Sequence, residues 1–218
     1  RWTRFYAGAP VCAPSRSVLM TGLHAGRTRV RGNAGPGNPR AQMLRRDDPT
    51  VAEALRAAGY ATGLFGKWGL AQEGEEGIPT RKGFDRFYGY LDQVHAHNPY
   101  PPFLLDGERR VPLRNRRADA CPEPVWGRGA GWSANRRDFA PDRIADAALR
   151  WVDRRADAPF FCFWSLITPH ANNEATRPTG NGQEVPDLRP YADTPWPLPD
   201  RAHAATVTRL DADMGRLF

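Results

Sequence analysis

Asp48-Pro49-Thr50-Val51-Ala52-Glu53-Ala54-Leu55-Arg56-Ala57-Ala58-Gly59-Tyr60-Ala61-Thr62-Gly63-Leu64-Phe65 is the stretch that decides the fold class. Pro49 stands at an early helical position, and Thr50 and Glu53 have the spacing of a capping box. Val51, Leu55 and Ala58 share one face, and Gly59 ends the helix. Tyr60 to Phe65 follows at once as a strand. A helix that feeds directly into a strand is half of an α/β unit. In open α/β sheets ligands bind beyond the carboxyl ends of the strands, which here is Gly66-Lys67-Trp68-Gly69-Leu70. Lys67 is one of only two lysines in a chain that otherwise carries its positive charge on arginine. Its compact ammonium suits a single oxyanion oxygen.

The pattern continues toward the C-terminus. Gly83 to Leu91 reads as another strand, leading to Asp92-Gln93-Val94-His95-Ala96-His97-Asn98. Phe103-Leu104-Leu105 and Val111-Pro112-Leu113, around a turn at Asp106-Gly107, read as a hairpin. Asp142 to Val152 is a helix with Ile144, Ala148 and Trp151 on one side. Phe160-Phe161-Cys162-Phe163-Trp164-Ser165-Leu166-Ile167 is a continuous apolar run, as expected for a strand buried on both faces of a parallel sheet, with Cys162 in the core. It ends at Thr168-Pro169-His170, again a carboxyl end. Ala171 to Pro199 shows no periodicity and reads as a lid, with Trp196 as its anchor. Asp200 to Phe218 reads as an amphipathic helix carried by Val207, Leu210 and Met214, with Asp211 and Asp213 as surface charges.

Toward the N-terminus, Trp2 to Ala7 alternates like a strand, and Ala9-Pro10-Val11-Cys12-Ala13-Pro14-Ser15-Arg16 follows. Pro14 fits the first position of a short helix that Gly22 stops. Cys12 then lies between strand and helix, where unpaired N–H groups and the helix dipole favour an anion. Arg16 adds a planar fork of donors. Taken alone, a single Cys is a small buried hydrophobe. Ala25 to Arg46 reads as loop, with His24 capping a helix end, and Asp47-Asp48 reads as a helix cap.

The 218 residues are 40% hydrophobic and 25% charged, the balance of a soluble globular chain able to bury a core. No apolar run approaches the ~20 residues of a membrane span, and the start carries no signal-peptide pattern. The net charge of +7 suits an anionic substrate. No aromatic-basic stripe or zinc spacing points to nucleic acid. Three cysteines, without metal spacing, form no disulfide framework and leave the compartment open, periplasmic or secreted space included.

Cys12-Ala13-Pro14-Ser15-Arg16 with Met20-Thr21-Gly22 resembles the C-x-P-S-R signature of the type I sulfatases, a formylglycine-dependent arylsulfatase family of the alkaline-phosphatase-like superfamily. Gly66-Lys67-Trp68 is similar to that family's second motif, and Pro159-Phe160-Phe161 through Pro169-His170 to a third. The resemblance implies an alkaline-phosphatase-like α/β sandwich with a mostly parallel central sheet flanked by helices, incomplete at both ends. It implies residues 1–218 as one partial catalytic domain without its N-terminal strand and C-terminal part. A formylglycine-generating enzyme would oxidise Cys12, and the hydrated aldehyde would attack sulfur, expel the alcohol and then release sulfate. Arg16 would steady the diol, Lys67 and His170 would bind the sulfate, and His170 would assist the leaving oxygen. A divalent cation, calcium in most of the family, would be held in part by residue 12, its other ligands lying outside this chain. Many members read G-K-W-H where this chain has Gly69, and His97 is expected to supply the missing imidazole. The substrate would be a sulfated small molecule or glycan. Two alternatives stay open, a phosphonate or phosphodiester hydrolase of the same superfamily and a non-catalytic binder of sulfated glycans.

Overall fold

A computed structural model describes residues 3–34, 42–121, 129–155 and 157–218. In chain order the helices are α1 (Cys12–Thr21), α2 (Val51–Ala57), α3 (Ala140–Asp153), α4 (Asn173–Thr179) and α5 (Leu198–Gly215). The strands are β1 (Ala61–Lys67), β2 (Arg86–Tyr90), β3 (Phe103–Asp106), β4 (Arg109–Pro112) and β5 (Phe160–Ser165). They form one sheet in the order β4-β3-β2-β1-β5. β2, β1 and β5 run parallel, while β3 and β4 are an antiparallel hairpin on the β2 edge.

Side-chain alternation along the strands separates two cores. Leu64 and its register partner Phe87 join Met20, Trp68 and Phe84 on one face, with Phe161 and Phe163 packed against them. Phe65, Tyr90 and Leu104 join Ile144, Ala148 and Trp151 of α3 on the other, beside Phe160, Cys162 and Trp164. Gly66 makes the tight centre of the sheet possible. Its φ is +117°, and a Cβ there would collide with the Ser165 carbonyl of the neighbouring strand.

The α2–β1 unit matches the expectation: Thr50 caps α2, and the capping box with Glu53 is complete. The buried face of α2 is at Ala52, however, and Val51 is 37% exposed, because the helix meets the sheet through its small residue. Asp47 and Asp48 do not cap α2. Asp48 instead accepts from the Arg45 N–H and pairs with Arg29.

Other expectations are corrected. Residues 3–7 form no strand, and Phe5 and Tyr6 are strongly exposed; alternation without a neighbouring strand gives no ladder. α1 begins at Cys12 itself, so Pro14 is its third residue, where the N–H it lacks would also have been an orphan. β5 faces both cores, yet Phe160 to Trp164 are only half-buried, because its outer edge has no strand neighbour among the described residues. Cys162 is accordingly half-buried, and burial pushes its thiol up to about 11. The long stretch after His170 contains α4, whose cap Asn172 is buried and also donates to the Gly131 carbonyl and to Glu184. In α5 the buried face is Ala202, Ala205 and Thr206, while Val207 is exposed. Asp213 of that helix is partly covered and paired with Arg216. Trp196 is 46% exposed and stacks on Tyr191, so it anchors nothing into the core. Among the described residues no helix is long and apolar enough to cross a membrane.

Candidate active site

The three parallel strands aim their carboxyl ends at one place. β1 ends at Lys67, β2 leads through Asp92 and Gln93 to a 3-10 turn at His95–His97, and β5 leads to His170. α1 brings Cys12 to the same place from its first turn. A cleft of about 800 Å³ opens there, lined by Cys12, Arg16, Lys67, Ser165 and His170 among others.

Cys12 is half-buried, and its thiol is pulled down to about 4. The imidazole of His170 is the largest cause, followed by that of His97; burial opposes them, and the charge of Lys67 adds to the pull. The α1 N-terminus is capped from a distance: the Ala13 N–H donates to Asn33 Oδ1 at 3.1 Å. Arg16, one turn on, is held by donating to the Lys67 carbonyl at 2.7 Å and to Ser165 Oγ at 2.5 Å, both through one terminal nitrogen. That leaves its other terminal nitrogen and Nε for an anion. Burial lowers its guanidinium to about 10 while the Cys12 charge pulls it back up. Lys67 is 4% exposed, and burial and then Arg16 bring its ammonium down to about 8, against the charges of Cys12, Asp92 and Glu174.

His97 and His170 are stacked, with ring centroids 4.8 Å apart and planes 9° from parallel. Nδ1 of His170 lies 2.6 Å from the Ala171 carbonyl oxygen. Nδ1 of His97 lies 3.1 Å from the Glu174 carboxylate. Burial works to lower His97, but the neighbouring Cys12 and the hydrogen bond to Glu174 outweigh it and the imidazole is raised. His95, by contrast, packs between Tyr90 and Phe103, and burial drives it down to about 3, the state of a neutral core histidine.

Gly69 faces the same cluster. A Cβ there would stand 2.6 Å from Gln93 Oε1, 3.4 Å from Arg16 Cδ and 3.5 Å from Lys67 Cε. The space a side chain at 69 would enter is therefore filled by Gln93. Gln93 is 3% exposed, and neither its Oε1 nor its Nε2 has a hydrogen-bond partner; Asp92 Oδ2 is likewise unpaired. Buried amides without partners are costly and mark places where a ligand group completes the bonding.

Cys12, Arg16, Lys67, His97 and His170 are thus brought together. Sequence reasoning missed Ser165, Gln93 and Glu174. Gln93 carries a usable signal, since it lies three residues past the carboxyl end of β2. Glu174 carries none, because its meeting with His97 spans 77 residues. Two cationic groups and two imidazoles around a half-buried position can bind a tetrahedral oxyanion and move protons at its oxygens. Among the described residues no group of three or more His, Cys, Asp or Glu side chains could hold a metal ion.

The family model described as Sulfatase matches residues 1–218. The chain is 34% identical to human arylsulfatase A over 238 aligned residues, covering all of this chain and 42% of that protein. Among solved structures it is similar to Ps i-CgsB in complex with k-i-k-neocarrahexaose, at a TM-score of 0.67 and 20% identity, over 97% of this chain and 44% of that one. It is also similar to BT4656, described in complex with its substrate D-glucosamine-2-N,6-O-disulfate, at a TM-score of 0.50 and 23% identity, over 76% of this chain and 26% of that one. The chain therefore spans less than half the length of these relatives. With the family model matching from end to end, this chain belongs to the sulfatase family.

Proposed function

We propose that the protein hydrolyses a sulfate ester, with Cys12 as the residue converted to formylglycine and residues 1–218 as part of its catalytic domain. The observation that carries this reading is the convergence of Cys12, Arg16, Lys67 and His170 on one cleft at the carboxyl ends of three parallel strands, with His97 stacked on His170 beside it. A helix N-terminus beside a half-buried arginine and a buried lysine is a site for a small oxyanion.

The formylglycine hydrate, once formed, supplies an oxygen nucleophile in covalent catalysis. Arg16 holds charge near position 12, and Lys67 binds a sulfate oxygen as a point charge. His170, exposed at the mouth of the cleft, stands where a leaving oxygen would need a proton. His97 supplies the imidazole that Gly69 does not, and Gln93 fills the space beside Gly69. The donor set around Cys12 suits formylglycine. The described residues around Cys12 do not by themselves suit calcium, which takes six to eight oxygens. The partners implied are a formylglycine-generating enzyme and a sulfated small molecule or glycan.

The test is turnover by the full-length protein, co-produced with the formylglycine-generating enzyme, on an aryl sulfate and an aryl phosphodiester of the same alcohol. Faster release from the sulfate supports the reading. Faster release from the phosphodiester replaces it with phosphoryl transfer, and release from neither leaves a non-catalytic binder.

A further inference from the structure

We propose that Glu174 is a positioning residue that fixes the tautomer of His97, so that His97 presents the lone pair of Nε2 to the group at position 12. This rests on the sulfatase reading for its chemistry but not for its geometry.

A carboxylate has no hydrogen to give, so the 3.1 Å contact between Glu174 and His97 Nδ1 requires the proton on Nδ1. The other ring nitrogen is then the acceptor in the neutral ring, and the ring stacks face to face on His170, which lines the cleft together with Cys12. Burial disfavours charge on Glu174, but the hydrogen bond and charge of His97 outweigh this, and the carboxyl is held below its ordinary range. Glu174 is therefore the ionised, acceptor-only partner.

Glu174 is also rigidly placed. It lies in the first turn of α4, whose cap Asn172 is fully buried. The Asn172 side chain donates to the Gly131 carbonyl at 3.0 Å and to Glu184 at 2.7 Å, and Arg136 donates to Glu184 at 3.0 Å. His97 sits in its short turn and stacks face to face on His170. His170 has its own Nδ1 committed to a carbonyl oxygen, an acceptor, and so is set in the same sense. Two stacked imidazoles, each anchored through Nδ1, offer both Nε2 atoms to one neighbour. In the proposed reaction an O–H bond at position 12 breaks and an N–H bond forms at His97 Nε2. The Nδ1 proton stays in its bond to Glu174, whose negative charge steadies the imidazolium. Groups that orient a functional histidine in this way are worth ten- to hundredfold in activity where they have been removed.

The experiment uses the full-length protein and two readouts. Nitrogen NMR of the His97 ring should report the Nδ1–H form in the parent and a shift toward Nε2–H in Glu174→Ala. Turnover of Glu174→Ala should fall about tenfold or more in kcat with little change in KM, at unchanged formylglycine content and melting temperature. Glu174→Asp should recover part of it. A parent ring in the Nε2–H form, or kcat in Glu174→Ala within twofold of the parent, overturns the proposal. If the parent turns over no sulfate ester, the sulfatase reading fails, while the NMR result still decides the role of Glu174.

Discussion

Lys67 and Arg16 illustrate how a few buried residues set the character of the pocket. Each is lowered by burial, Arg16 lowers Lys67 further, and the negative group at position 12 works against both shifts. Lys67→Ala should cost about a hundredfold or more in kcat/KM toward a sulfate ester, the usual cost of removing one preorganised donor from a developing oxyanion. Steady-state kinetics on the full-length protein checks it. His97→Ala should lower kcat by about a hundredfold if His97 moves a proton there, and unchanged turnover would end its assignment. The unconverted thiol offers a pH test. Cys12 is held down to about 4 and Cys162 is pushed up to about 11. The thiolate is the reactive form above the pKa, so at pH 6 Cys12 is deprotonated and Cys162 is not. Labelling with iodoacetamide between pH 5 and 7, read by peptide mass spectrometry, should modify Cys12 at a nearly constant rate and leave Cys162 untouched. A Cys12 rate that climbs tenfold per pH unit through that range would contradict the low value.

At the scale of elements, the helix ends carry the geometry. α1 begins at an extended Val11 with no cap from its own side chain, and Asn33 supplies the missing acceptor from another loop. Asn33→Ala should destabilise the protein by about 1 kcal/mol, seen as a fall of a few degrees in Tm. An unchanged Tm would show the contact to be idle. Gly66 is the stricter position, since its left-handed φ and the close Ser165 carbonyl admit no side chain. The α2–β1 unit, the β3–β4 hairpin and α3 were legible because each is written in local signals: the Thr50–Glu53 box, a glycine turn that falls at Gly107-Glu108 rather than the expected Asp106-Gly107, and the spacing of Ile144, Ala148 and Trp151. The start of α1 and the whole of α4 were not. Asn33 caps α1 from another loop, and Asn172 caps α4 locally at Ala175 while its amide nitrogen is held by Gly131 and Glu184, distant partners that no periodicity announces.

Over the whole molecule, the parallel order β2-β1-β5 does most of the functional work. Three strands running the same way deliver Lys67, the Gln93–His97 segment and His170 to one edge, which is why a rule about carboxyl ends found most of the site from sequence. It could not find Glu174, which reaches His97 from α4, nor tell that Gln93 rather than a side chain at 69 would fill the space beside Arg16 and Lys67. The central claim is that position 12 is where sulfate esters are cleaved. The most direct measurement is the mass of the peptide containing residue 12, from full-length protein made with and without the formylglycine-generating enzyme, set beside sulfate release from the same samples. Expected is an aldehyde at position 12 only in the first sample, with turnover proportional to its fraction and none in Cys12→Ala. Sulfate release from the sample that keeps a thiol, or from Cys12→Ala, would contradict the claim.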